Sequence, residues 1–328
     1  MINDHPEIAD IVDAASRLSG HAIRTPLLEC AAASELTGGR ILVKPEMLQV
    51  TGSFKFRGAF NFISRLSEEE RRRGIVAFSS GNHAQAVAAV SRHFAAAATI
   101  VMPRDAPAIK VEATRSFGAE IVLYDRKEES REDIARELME SSGATLVPPF
   151  DHALTIAGQG TVGLEIAEDL ALAGATPDQV LVPCSGGGLI AGIATAIKAR
   201  FPDCRIFAVE PEGYDDTGRS LAAGSRQSVD IAAESICDAL LVPTPGELTF
   251  SINSDLLAGG IAVPDETTYR AMAFAFRHLK LVAEPGGAIA LGAVLDSSVD
   301  CRDRTTVVLM SGGNVDASIM REALSASV

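Results

Sequence analysis

Lys55 lies in the run TGSFKFRGA, residues 51–59, between Phe54 and Phe56 and just after a Thr-Gly-Ser turn. An ammonium held between aromatic rings loses hydration, which disfavours its charge and lowers its pKa towards that of a usable nucleophile. Such an amine condenses with carbonyl groups; a lysine that only snorkels past two core phenylalanines does no chemistry. Three more stretches bear on the choice: Ser79-Ser80-Gly81-Asn82-His83, Ser185-Gly186-Gly187-Gly188-Leu189 and Ser311-Gly312-Gly313-Asn314. Each puts small, hydrogen-bonding residues between an apolar run and a helical pattern. The triple glycine is a phosphate cradle in physical terms, because bare backbone N–H groups can approach an anion and the next helix adds its positive end. Around Ser80, Asn82 and His83, free N–H groups could hold a carboxylate, and Asn82 could donate to a phenolate-like oxygen. The segment from Glu210 through Tyr214 to Asp216 carries four carboxylates in seven positions. It is either a solvated acidic loop or an oxygen-rich site for a divalent cation.

A dinucleotide reading competes for the same glycines. Gly186, Gly188 and Gly192 approximate its fingerprint, with Glu210 as the ribose-binding acid. The spacing is GxGxxxG instead of GxGxxG, and three adjacent glycines wrap one monophosphate better than a pyrophosphate. No GxSxG, HExxH or Walker pattern occurs.

To position these groups the chain alternates apolar runs with helical periodicity. Residues 41–43, 75–78, 99–102, 121–124, 180–183, 206–209 and 306–310 read as buried strands. Helical patterns cover 7–18, 56–66, 84–94, 107–117, 128–141, 157–172, 189–200, 265–279 and 315–324. The alternation predicts an α/β protein with mainly parallel sheets, which present ligands at the carboxyl ends of their strands. Breaks near 70–74 and at Pro148-Pro149 suggest a small domain over 74–147 inserted into a large one made of 1–73 and 148–328.

Bulk composition narrows the partners. The 328 residues carry 29 Lys and Arg against 43 Asp and Glu, a net charge of −14, which disfavours nucleic acid. Arg71-Arg72-Arg73 follows Glu68-Glu69-Glu70 and reads as charge pairing on a solvated helix face. The longest apolar runs are too short for a bilayer, and the polar, acidic N-terminus has no secretory pattern. Five scattered cysteines with no CxxC spacing argue against structural zinc and disulfides, and fit a reducing cytoplasm.

Read together, TGSFKFRGA, SSGNHAQA, AGQGT at 157–161, SGGGL, the 210–216 loop, EPGGA at 284–288 and MSGGN at 310–314 resemble the fold-type II pyridoxal-phosphate enzymes. More narrowly, they resemble the serine/threonine dehydratase and serine racemase group, in order and spacing. The resemblance implies a tryptophan synthase β-like fold of two open, twisted, mostly parallel sheets flanked by helices, and a homodimer. It implies that Lys55 carries pyridoxal 5'-phosphate and later acts as base on one face of the substrate α-carbon. Phe54 would pack on the ring, Asn82 would meet its phenolic oxygen, Ser185–Leu189 would donate to the phosphate, Glu284 would lie in the cofactor site, and Ser311 would face the ring nitrogen. A neutral serine there favours β-elimination. Ser79, Ser80, Asn82 and His83 would bind the substrate carboxylate, and Ser80 would be the opposite-face residue that racemisation needs. Glu210, Asp216 and the Tyr214 carbonyl match the family's divalent-cation position, for Mg2+, Mn2+ or Ca2+.

The expected reaction is removal of the hydroxyl and amine of a β-hydroxy amino acid, L-threonine or L-serine first, giving a 2-oxo acid and ammonia. Racemisation and 3-hydroxyaspartate dehydration are the alternatives within the group, and a nucleotide-dependent oxidoreductase the alternative outside it. Two positions depart from the family pattern: SGGG stands where four glycines are frequent, and Phe150 where several racemase-like sequences carry asparagine. The chain ends at Val328, soon after MSGGN, so isoleucine-type feedback inhibition is not expected.

Overall fold

The computed structural model describes residues 5–79, 81–106, 108–125, 128–230 and 232–325. Among these, ten strands form two sheets. They are β1 (Leu28–Glu29), β2 (Arg40–Pro45), β3 (Ile75–Phe78), β4 (Ala98–Pro103), β5 (Glu120–Tyr124), β6 (Thr145–Leu146), β7 (Gln179–Pro183), β8 (Arg205–Pro211), β9 (Gly259–Val263) and β10 (Thr305–Met310). The larger sheet runs β1-β2-β10-β7-β8-β9, parallel except for β1, and the smaller runs β5-β4-β3-β6, all parallel. Four consecutive strands from 75 to 146 thus make the second sheet, and the chain on either side of them makes the first.

The central strands of both sheets are covered on both faces, which is why they read as unbroken apolar runs. In the large sheet Ile41, Val43, Val209, Val308 and Met310 point into one core, and Leu42, Val182, Ala208, Val307 and Leu309 into the opposite one. That is the two-residue alternation of a pleated strand.

The helices are α1 (Ile8–Leu18), α2 (Ala31–Thr37), α3 (Lys55–Ser64), α4 (Glu68–Arg73), α5 (Asn82–His93), α6 (Ala108–Ser116), α7 (Arg131–Ser142), α8 (Ala153–Leu172), α9 (Gly188–Arg200), α10 (Asp216–Ala223), α11 (Glu247–Leu256), α12 (Asp265–Phe274), α13 (Pro285–Leu295) and α14 (Ala317–Ser325). The acidic-then-basic run forms α4, capped by Ser67 and paired between Arg73 and Glu69 at 3.5 Å. Beyond α12 the helix continues as a π-helical turn, Ala275–Leu279.

The AGQGT segment lies inside α8, where it lets helices touch backbone to backbone. A Cβ on Gly158 would sit 2.6 Å from the Arg57 carbonyl, and one on Gly192 of α9 would sit 2.4 Å from the Ile156 carbonyl. The Gln159 side chain accepts the Gly58 N–H at 3.2 Å. Close packing here seats α3, and with it Lys55, against the large sheet's helices.

Candidate active site

Four stretches far apart in sequence are zipped together by short bonds at the carboxyl ends of β3 and β10. Ser53 bridges Gly312, the Phe54 N–H donates to the Ser311 carbonyl (3.1 Å), and the Gly313 N–H donates to the Gly52 carbonyl (2.9 Å). The Glu284 N–H reaches the Gly312 carbonyl (3.1 Å), and Asn314 Nδ2 donates to the Thr51 carbonyl (2.9 Å) and to Asn82 Oδ1 (2.7 Å). Asn82 in turn donates Nδ2 to Glu284 Oε1 at 2.5 Å. This seam borders a cavity of about 700 Å3 lined by Lys55, Asn82, the 185–189 loop, Glu284 and Ser311.

Lys55 opens α3 at that cavity. Its Nζ donates to the Pro149 carbonyl (2.7 Å) and lies 5.2 Å from the Phe54 ring centre, with no carboxylate in contact among the described residues. The surrounding protein strips water from the amine, and burial brings its pKa down to about 8. His83 is buried, bonds the Val147 carbonyl through Nε2 (2.9 Å), and is pushed down to about 3 by burial and then by the Lys55 charge. Its imidazole is therefore neutral and adds no charge beside the amine. Burial lifts the Glu284 carboxyl to about 7, against the pull of Lys110 and with the push of Asp238. Glu284 Oε2 is buried without a partner among the described residues.

The phosphate cradle is built from both sides. Gly187 caps α9 with φ at +90°, a conformation that suits glycine. Beneath it, a Cβ on Gly186 would strike the Phe150 ring at 2.5 Å, and one on Gly188 would meet the Phe150 carbonyl at 2.8 Å. From behind, α11 takes up the outward carbonyls: Thr249 Oγ1 donates to Gly186 O (2.6 Å) and Asn253 Nδ2 to Gly187 O (3.3 Å). Asp151 caps that helix, accepting the Glu247 and Thr249 N–H groups at 2.9 and 3.0 Å. Turning the carbonyls towards α11 leaves the N–H groups of 186–189 for an anion. Ser185 Oγ is buried with no partner among the described residues. A run of inward N–H groups, an orphaned hydroxyl and a desolvated amine fit a phosphorylated aldehyde. Thr249→Val should lower affinity for pyridoxal phosphate and for inorganic phosphate roughly 5- to 30-fold, the worth of a buried hydrogen bond. Equilibrium dialysis checks both.

Of the other expected residues, Ser79 Oγ accepts the Gly81 N–H at 3.2 Å, and Ser311 Oγ approaches the Gly286 carbonyl at 3.5 Å. Leu189 is largely buried and lines the cavity, and Ser80 lies outside the described residues. The 210–216 segment is not an open acidic loop. Glu210 and Asp216 are buried; Glu210 accepts the N–H groups of Thr217 and Gly218 (2.9 Å each), so it does not face a ribose. Among the described residues no group of three or more His, Cys, Asp or Glu side chains gathers as for a metal. Asp151, Thr249 and Asn253 carry no motif of their own, and no helical pattern marks 247–256 in the sequence.

Fold and site together define an enzyme that works through a carbonyl cofactor, and comparison with known proteins names the class. The family model for pyridoxal-phosphate dependent enzymes matches residues 18–312, and the chain belongs to that family. It is 43% identical over 307 residues to an L-threo-3-hydroxyaspartate ammonia-lyase of Pseudomonas sp., covering 94% of this chain and 95% of that one. It is 41% identical to an L-threonine ammonia-lyase of Thermotoga maritima, covering 95% of this chain and 77% of that one. Maize serine racemase superposes with a TM-score of 0.90 at 38% identity, covering 97% of each chain. The protein is a fold-type II, pyridoxal-phosphate-dependent lyase of the threonine ammonia-lyase and serine racemase group, and the dinucleotide reading is set aside.

Proposed function

We propose that this enzyme removes water and then ammonia from β-hydroxy amino acids, L-threonine, L-serine and L-threo-3-hydroxyaspartate among them. The observation that carries the reading is Lys55 Nζ: a desolvated amine bonded, among the described residues, to a backbone carbonyl alone, facing the same cavity as the 185–189 loop. The relatives' names supply the substrate class. Bound pyridoxal phosphate supplies a carbonyl for amines and an electron sink that acidifies the substrate Cα–H. The 186–189 N–H groups and Ser185 would grip its phosphate, and Phe54, Asn82, Glu284 and Ser311 would border its ring. The Ser79–His83 turn would orient the substrate carboxylate. Lys55, freed as an amine, would take the α-proton from one face. Ser311 would offer the ring nitrogen a neutral hydroxyl, which would suit expulsion of a β-hydroxyl over longer-lived carbanion chemistry. A 2-oxo-acid assay across a panel of β-hydroxy amino acids tests this; ammonia and 2-oxo acid from none of them would refute it.

Capture of the cofactor should depend on pH. The neutral amine is the nucleophile, and a Lys55 pKa of about 8 leaves only a minority neutral at pH 7. The rate at which apoenzyme gains its visible absorbance should rise about tenfold per pH unit below 8 and level off above it. A flat profile between pH 6 and 8 would contradict this.

Glu210, Asp216 and the Tyr214 carbonyl would hold a divalent cation. Both Asp216 carboxylate oxygens are buried without partners among the described residues. Burial, then Glu210, raises Asp216 to about 8, and burial raises Glu210 to about 7. Carboxyls that prefer the proton when folded lose stability as pH rises from their ordinary range to these values. Mg2+, Mn2+ or Ca2+ in hundredfold excess over its Kd should therefore raise Tm at pH 8 by about 5 °C, and chelator should reverse it. The same addition at pH 5 should do much less.

Residues 74–147 would form the small domain, and 1–73 with 148–328 the large one. A homodimer would cover the exposed apolar side chains Ile23, Leu48, Val50 and Val282. These neighbour one another: the Gln49 side chain bonds both backbone groups of Ile23, and Met47 and Val282 both border Gly313. A cytoplasmic setting fits five cysteines that are all unpaired and buried. Among the described residues no helix is long and apolar enough to cross a membrane.

A further inference from the structure

One cation at the cavity is left unexplained by the chemistry above. Lys110 projects from α6, and its ammonium is paired with the Asp238 carboxylate on the short 3-10 turn Asp238–Leu240. The pair is lopsided: the Lys110 side chain is 7% exposed and that of Asp238 is 42% exposed. Its Nζ lies 3.7 Å from where a Cβ on Gly81 would sit, beside the turn that would hold the substrate carboxylate, and its charge acts on Glu284. The other cations at the cavity wall are wetter and held by their neighbours: Arg131, 42% exposed, by Glu132, and Arg226, 37% exposed, by Glu247. A buried ammonium cannot be left bare, because unpairing it costs far more than the pair is worth. Asp238 can swing into solvent cheaply, since its carboxylate is already half hydrated. Exchanging one carboxylate for another keeps the Lys110 ammonium paired, and a ligand that brings an anionic group beyond its α-carboxylate can drive the exchange.

We infer that Lys110 is the specificity-determining residue that binds a second carboxylate on the substrate's β-carbon, and that Asp238 holds its place for substrates that lack one. This rests on the β-hydroxy amino acid reading above, and it assigns 3-hydroxyaspartate-type substrates to a particular side chain. Two other roles for the pair make different demands. A strap that only ties α6 to the 238–240 turn is broken equally by losing either partner. A group that binds the α-carboxylate affects all substrates alike.

The test is the ratio of kcat/KM for L-threo-3-hydroxyaspartate to that for L-threonine in the holoenzyme. Lys110→Gln should lower this ratio by about 10- to 100-fold, mostly through KM, the worth of a hydrogen-bonded charge pair. Asp238→Asn, which removes the internal competitor, should raise it by roughly 3- to 10-fold. Ratios that move in the same direction in both variants, or that do not move, overturn the inference. A second arm measures binding of L-aspartate and L-alanine through the change each causes in holoenzyme absorbance. L-Aspartate has the extra carboxylate and no leaving hydroxyl, so this arm works even if no 2-oxo acid is ever formed. A Lys110→Gln holoenzyme that keeps its aspartate-to-alanine preference refutes the Lys110 assignment; absence of turnover with this preference lost refutes only the dehydratase reading.

Discussion

Replacing Lys55 with alanine is expected to cut turnover by more than about 10⁴-fold, because on the proposed roles one change would remove both the cofactor's amine partner and the base at the α-carbon. The variant should be colourless after desalting yet fold normally, since among the described residues Lys55 makes one hydrogen bond, to the Pro149 carbonyl. The 185–189 cradle stays intact in it, so pyridoxal phosphate should still bind reversibly through its phosphate. Circular dichroism, the visible spectrum and a 2-oxo-acid assay on one preparation check all three points. Full activity in this variant would exclude the proposed chemistry.

The second large effect lies two residues further on. Arg57 is 1% exposed and forks between two carboxylates: Nε and Nη2 each reach Glu46 at 2.8 Å, and Nη1 reaches Glu165 at 2.6 Å. Lys44 completes the cluster, donating to Glu165 (2.6 Å) and to the Thr25 carbonyl (2.7 Å). Two cations and two anions balance with almost no water. Burial works against the charge on Glu46, but Arg57 beside it holds its carboxyl below the usual range. Arg57→Met keeps the bulk and removes the charge, leaving a net negative cluster in the interior. We expect a loss of about 3–5 kcal/mol, seen as a fall of about 10 °C in Tm. The deficit should shrink as pH falls towards 5, because Glu46 without its cation takes up a proton in the folded state more readily than in the unfolded chain. Thermal melts of wild type and variant at pH 5 and 8 measure this. Since α3 begins at Lys55, the same variant should also hold its cofactor less tightly.

How much of this was legible in the sequence depends on how local the cause is. All seven predicted strands are present; six have the apolar run that burial on both faces demands, and β5, half exposed at a sheet edge, is apolar all the same. β1 and β6 are two residues long, and β9 opens with two glycines, so none of them gives a pattern. The helix α13 escapes the periodicity argument for the opposite reason. Pro285–Leu295 is buried nearly all round and has no polar face to alternate with. α8 starts at Ala153, ahead of the predicted 157, because His152 caps it through Nδ1. Pro107, the predicted start of the helix over 107–117, lies outside the described residues.

The glycine clusters and Lys55 stand out in the sequence because the chemistry they suggest is written in adjacent residues, and the fold brings them to one cavity. What holds them does not stand out. Asn82 is a donor, as its type suggests, but its Nδ2 is directed at Glu284, 202 positions away. Thr249 and Asn253 act on the cradle through helix α11, and Asp151 acts on that helix in turn; nothing in their own neighbourhoods marks them. The buried cluster at Arg57 shows the same limit. An arginine after Lys55 looks solvent-bound until the fold brings Glu46 and Glu165 to it.

The central claim is that Lys55, and no other lysine, carries the cofactor. Borohydride reduction of the purified holoenzyme, followed by peptide mapping by mass spectrometry, tests this directly. The account predicts a single pyridoxyl-phosphate adduct on the peptide containing residues 51–59, at Lys55. An adduct on Lys44, Lys110, Lys127, Lys198 or Lys280 in its place, or a reduced protein with no adduct, would contradict it.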